Sequence, residues 1–139
     1  MTNPVFLDAS FWIDFRDEEA LPHPLACQVV ADIFRQRVPL VTTLPVICEI
    51  YAYFTRSIVT REMVLKELCE NPIVTVEDIS PQDQGEALNI LRKHRDKEYS
   101  LCDALSFMVM RRLNIRRAVS FDKHFRQFGE FEVIPNKFP

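Results

Sequence analysis

Val5-Phe6-Leu7-Asp8-Ala9-Ser10-Phe11-Trp12-Ile13 sets the pattern of the whole chain. Three apolar residues read as a short strand, one aspartate follows, and residues 9–15 read as a helix. The same beat recurs downstream. Residues 25–37 form an amphipathic helical pattern with Leu25, Val29, Val30, Ile33 and Phe34 on one face, and residues 39–42 a second strand. Thr43 and Pro45 open an apolar helix to about residue 55, residues 60–70 give another, and residues 73–76 a third strand. Ser80-Pro81 starts a helix expected to reach about residue 97, and Ser100 starts one to about residue 113. Strands over 117–121 and 131–134 close the series. Strand and helix alternate throughout, which predicts the α/β class: a mainly parallel sheet with crossover helices on both faces. Sites in such sheets lie outside the carboxyl ends of the strands.

Composition agrees with one ordinary domain over residues 1–139. With 47% hydrophobic and 27% charged residues, the chain is too apolar for disorder and too charged for a membrane protein. No apolar stretch approaches the roughly 18 residues of a spanning helix, and Met1-Thr2-Asn3-Pro4 lacks a signal-peptide pattern, so the cytoplasm is the expected compartment. Cys27, Cys48, Cys69 and Cys102 are expected to be reduced, since a chain with this much core does not need disulfides. No CxxC pair exists, and His23, His94 and His124 stand at no mutual zinc spacing.

The net charge of −3 argues against a general nucleic-acid coat, yet it is unevenly spread. Residues 86–126 carry ten Lys and Arg against five acids, net +5, which leaves −8 for the rest. That stretch is suited either to phosphate contacts or to solvated helix faces.

Four acids stand in apolar company. Asp8 follows the first strand and Asp122 follows the strand Ala118-Val119-Ser120-Phe121. Asp103 is the only charge from Leu101 to Met110, and Glu49 lies in a helix whose other residues from Leu44 to Phe54 are apolar or proline, so that helix is expected to be buried nearly all round. Taken singly, Asp8 and Asp122 can cap the helices after them, and Asp103 can complete a capping box with Ser100. Glu49 cannot cap from mid-helix, and a buried carboxylate costs several kcal/mol unless it is paired or bound to a cation, so for Glu49 alone a buried arginine and a metal ion are equally open. Together, four carboxylates on one rim repel unless a cation joins them. An all-oxygen ligand set, with no Cys or His, suits Mg²⁺ or Mn²⁺. One such ion, or two about 3.5 to 4 Å apart, can drive phosphodiester hydrolysis.

Phe6-Leu7-Asp8-Ala9-Ser10, Glu49 on its apolar helix, Ser100-Leu101-Cys102-Asp103-Ala104-Leu105-Ser106 and Ala118-Val119-Ser120-Phe121-Asp122-Lys123-His124-Phe125 resemble, in order, the successive motifs of PIN-domain ribonucleases. The likeness is greatest to the VapC toxins of bacterial and archaeal toxin-antitoxin pairs. The resemblance implies a three-layer α/β/α sandwich, an endoribonuclease dependent on Mg²⁺ or Mn²⁺, homodimerisation, and inhibition by a small cognate antitoxin. It assigns the metal to Asp8, Glu49, Asp103 and Asp122, with Ser10 and Ser120 in support. The further acid that some members carry after the last one is absent, since Lys123, His124 and Phe125 stand there.

Within the basic stretch, Arg92, Lys93, Arg111, Arg112, Arg116, Arg117, Lys123 and Arg126 are the candidates to guide RNA toward an acidic site. His124 reads as a surface or outer histidine, and Cys102 as a buried small apolar side chain. Two other functions compete. A non-catalytic interaction module would keep the fold without needing all four acids. A phosphatase with an aspartyl nucleophile would want a second Asp where Ser10 stands.

Overall fold

The computed structural model describes residues 3–136. Its elements in chain order are β1 (Val5–Leu7), α1 (Ala9–Arg16), α2 (His23–Arg35), β2 (Leu40–Thr43), α3 (Leu44–Tyr53), α4 (Ile58–Cys69), β3 (Val74–Glu77), α5 (Pro81–Lys93), α6 (Leu101–Leu113), β4 (Arg117–Val119), α7 (Lys123–Phe128) and β5 (Glu132–Ile134). The five strands form one sheet in the order β3-β2-β1-β4-β5, and every neighbouring pair is parallel.

That order fixes the layers. From β1 the chain steps outward to β2 and β3, then jumps back across to β4 and on to β5. Right-handed crossovers in opposite directions put their helices on opposite faces. The packing follows: α1 touches α2 and α3, and α3 touches α4, while α5, α6 and α7 pack among themselves. The result is the α/β/α sandwich, with its switch point between β1 and β4.

The core explains the three central strands. All of β1 and β2, together with Ala118 and Val119 of β4, are buried, so these strands read as continuous apolar runs rather than alternating ones. On the α5 to α7 side, α6 is the innermost helix, buried from Asp103 to Met110. Phe107 stacks on Phe128 with ring centroids 4.2 Å apart and meets Phe125 and Tyr99 edge-on. Ser80 and Ser100 each head a reciprocal capping box, with Asp83 and Asp103, which starts α5 and α6. Left-handed Asn114 and Gly129 stop α6 and α7.

Two expectations are corrected. α5 ends at Lys93 rather than near residue 97, because His94 leaves the helical region to pack its ring against Tyr99 and Phe128. And α3 is not buried all round. Val46, Ile47 and Ile50 face the core, whereas Leu44, Cys48, Glu49, Ala52 and Tyr53 are exposed. Apolar composition there reflects an open apolar flank rather than a central helix.

Candidate active site

β1 and β4 deliver the first pair of groups. Their register pairs Leu7 with Val119, so the next residues out, Asp8 and Ser120, stand side by side at the carboxyl ends. The Asp8 amide donates to the Val119 carbonyl at 3.1 Å, and Asp8 is buried. Ser10 Oγ donates to Asp8 Oδ2 at 2.6 Å, and Ser120 Oγ donates to the same oxygen at 2.7 Å. Each hydroxyl has one proton to give, so the 3.2 Å approach between Ser10 and Ser120 is a contact and not a third bond. Both hydroxyls also accept: Ser10 from the Phe121 amide and Ser120 from the Asp122 amide, each at 3.0 Å. The two serines thus lash the loop after β4 to the end of β1.

Asp103 does two jobs. In the third position of α6 its Oδ2 accepts the Ser100 amide at 2.9 Å, closing the capping box, and the same oxygen lies 2.7 Å from His124 Nδ1. Asp122 N-caps α7, accepting the His124 amide on Oδ1 at 3.0 Å, and His124 Nδ1 lies 3.3 Å from that oxygen. The bland capping roles foreseen for Asp103 and Asp122 are therefore real and coexist with the cluster. Asp8 makes no such cap bond.

The fourth acid, Glu49, faces the cluster from α3 although it is exposed. Desolvation by its surroundings and then the charge of Asp103 hold its carboxyl above the usual range; a hydrogen bond from Cys102 opposes this and Asp122 adds to it. Burial pushes Asp8 up to about 6, against the two serine hydrogen bonds and with help from Asp103 and Asp122. That rise favours its protonated form by roughly 3 kcal/mol. Burial, then Glu49, drives the Cys102 thiol strongly upward, so it offers no thiolate nucleophile.

These residues fit a divalent cation. Asp8 Oδ1, Asp103 Oδ1 and Asp122 Oδ2 accept no hydrogen bond among the described residues, so each aspartate spends one oxygen on its own orientation and keeps one. No Lys or Arg among them pairs with any of the four acids. Thr43, next to Asp8 in register at the end of β2, carries a buried hydroxyl without a partner.

A histidine stands beside the expected all-oxygen set. Ligand atoms of Asp103, Asp122 and His124 lie within 4.8 Å of one another. The missed signal was the position of His124 two residues after Asp122, which a helix N-terminus turns back over its own cap.

The basic candidates scatter. Arg116 and Arg117 lie at the opposite end of β4 from Ser120, around a cavity of about 480 Å³ shared with Asn3, Pro4, Leu113, Asn114 and Glu132. Their expected place beside the chemistry is thus corrected: residues before a parallel strand fall at the far pole of the sheet from those after it. Arg111 pairs with Glu130, Arg126 donates to the Pro135 carbonyl, and Arg112 binds buried Asp83 and the Asp78 carbonyl. Lys123 borders His124 in a shallow cavity lined also by Asp96, Glu98 and Lys97, a cation that the sequence pattern does not single out. Arg92 and Lys93 are exposed at the end of α5, which joins the site through His94, Tyr99 and His124.

A wholly parallel sheet with carboxylates gathered at its switch point defines the class, and the PIN domain model matches residues 5–130, so the chain belongs to the PIN domain family. It is 31% identical over 133 residues to the 23S rRNA-specific endonuclease VapC20 of Mycobacterium tuberculosis, from strains CDC 1551 / Oshkosh and ATCC 25618 / H37Rv alike. That alignment covers 94% of this chain and 98% of the relative. The crystal structure of Mycobacterium tuberculosis VapC20, described as a sarcin-ricin loop cleaving toxin, superposes with a TM-score of 0.82 at 28% identity, over 94% of this chain and 99% of that one.

Proposed function

We propose that the protein is an endoribonuclease toxin that hydrolyses large-subunit ribosomal RNA, with Asp8, Glu49, Asp103 and Asp122 holding Mg²⁺ or Mn²⁺. The observation that carries the reading is Asp8: a buried carboxylate anchored through one oxygen by Ser10 and Ser120, with the other oxygen free among clustered acids. A divalent ion bound there supplies charge stabilisation at a phosphoryl oxygen and activates water for in-line attack. The chain's part is preparation. Ser10 and Ser120 fix Asp8, the Ser100 capping box fixes Asp103, and α7 fixes Asp122. In this reading Lys97, which also pairs with Asp96, and Lys123, on the rim beside His124, would hold phosphate next to a negatively charged centre.

Purified protein incubated with ribosomes and Mg²⁺ or Mn²⁺ is expected to cut the large ribosomal RNA at one site, leaving 5′-phosphate and 3′-hydroxyl ends. Chelation and Asp8→Asn should each abolish the cut. Cyclic 2′,3′-phosphate ends, or cleavage that survives chelation, would overturn the mechanism. Cleavage of other RNAs with the ribosome left intact would overturn the target.

The remaining partners of this reading are a cognate antitoxin and a second copy of the chain. Tyr53, Ile58, Val59 and Met63 on α3 and α4 are exposed apolar side chains suited to a protein partner. No helix among the described residues is long and apolar enough to cross a membrane, and a ribosome-directed enzyme belongs in the cytoplasm.

A further inference from the structure

We infer that His124 is a nitrogen ligand of the cation site, which makes it a mixed oxygen and nitrogen centre selective for Mn²⁺ over Mg²⁺. This rests on the metal-dependent reading above and adds a residue to it.

The first support is spacing. Neighbouring ligands of an octahedral ion bound at about 2.1 Å stand about 3 Å apart. His124 Nδ1 lies 2.7 Å from Asp103 Oδ2 and 3.3 Å from Asp122 Oδ1, and one ligand atom from each of the three residues falls within 4.8 Å of the others, so an ion that took the free oxygens of the two carboxylates would have this nitrogen within reach. The three residues come from two helices, α6 and α7, that converge on this point.

The second support is that the ring is held. The His124 amide is tied to Asp122 Oδ1 at 3.0 Å, and Tyr99 packs edge-on against the imidazole with centroids 5.6 Å apart. The side chain is only 14% exposed. An outer histidine on a solvated helix face would not have its ring enclosed in this way. A single ring nitrogen addresses both acids.

Chemistry then gives the selectivity. Carboxylates serve Mg²⁺ and Mn²⁺ alike, whereas Mg²⁺ is hard and keeps its water, and an imidazole nitrogen suits the transition ions. A histidine in the set therefore separates two ions that four acids alone would not.

Pulsed electron paramagnetic resonance on the Mn²⁺-loaded protein reads this directly, because an imidazole ligand couples its nitrogen to the Mn²⁺ spin. The expected result is nitrogen coupling in the wild type that disappears in His124→Asn. Asparagine keeps a donor toward the two carboxylates, so it preserves a mere hydrogen-bonding clamp but not the imidazole ligand. Calorimetric titration should show Mn²⁺ affinity falling by about tenfold or more in that variant, with Mg²⁺ affinity little changed. Bound Mn²⁺ without nitrogen coupling, or an unchanged ratio of Mn²⁺ to Mg²⁺ affinity in His124→Asn, overturns the inference and leaves the acidic site standing. Failure of the wild type to bind Mn²⁺ overturns both.

Discussion

Ser120 donates its hydroxyl to Asp8 at 2.7 Å across 112 residues of sequence, so the last strand-end of the site directly sets the orientation of the first. Ser120→Ala removes that donor and also the acceptor for the Asp122 amide. The expected outcome is a stability loss of about 1–3 kcal/mol by denaturant titration, with cleavage lowered well beyond what the residual folded fraction explains. Ser10→Ala should act in the same direction. Unchanged turnover in both variants would remove the serines from the site.

Asp103→Asn separates the two duties of Asp103. The amide keeps an oxygen for the Ser100 amide, so the capping box survives, while the charge facing His124 and the other acids is lost. Cleavage should disappear and divalent affinity should fall, with metal-free stability changed by no more than about 1 kcal/mol. A large drop in melting temperature would show that Asp103 is chiefly structural.

Metal-free protein should gain stability on mild acidification. Asp8 titrates at about 6 when folded against an ordinary 3.8, so the folded state binds more protons between those values. Its favourable contribution is therefore complete below about 4 and lost as the pH rises through about 6. Denaturant midpoints at several pH values should show this component in the wild type and not in Asp8→Asn.

Charge reversal should distinguish the two poles of the sheet. Lys97→Glu with Lys123→Glu, made in an Asp103→Asn background so that substrate survives, should weaken RNA binding and lower the salt slope by about 1 to 2. Arg116→Glu with Arg117→Glu should change cleavage little, because those residues lie around the cavity at the far end of β4. Equal effects from both pairs would mean that RNA wraps the whole sheet edge.

Arg112 should prove structural. Its guanidinium meets buried Asp83, whose carboxyl is lowered: burial works against this but is outweighed by the Arg112 and Ser80 hydrogen bonds. Arg112→Ala should cost roughly 2–3 kcal/mol, less than a fully buried pair because Arg112 is partly exposed. The stabilisation from Asp83 is present above the ordinary carboxylate range and lost as pH falls through its lowered value.

The strands and their order along the chain were legible because a buried parallel strand is an uninterrupted apolar run ending in a polar residue, as Val5-Phe6-Leu7-Asp8 is. Isolation among apolar neighbours marked the acids for the same reason. What sequence did not carry was direction in space. Arg116 and Arg117 adjoin β4 as closely as Asp122 does, yet a strand places its two flanks at opposite poles. Glu49 drew attention as a buried acid and is an exposed one, because apolar composition does not distinguish a core helix from an open apolar flank. His124 reads from the sequence as a surface or outer histidine, because metal-bound water needs no histidine base, whereas the fold sets it against aspartates on a separate helix and on its own cap.

The place of β4 beside β1 has a consequence for synthesis. Asp8 leaves the ribosome early and Asp122 late, and the Ser120 hydroxyl that orders Asp8 arrives with the latter. A growing chain thus carries its first carboxylate through most of translation without the strand that completes it. The orientation of Asp8 by Ser120 is thus among the last contacts of the site that synthesis supplies.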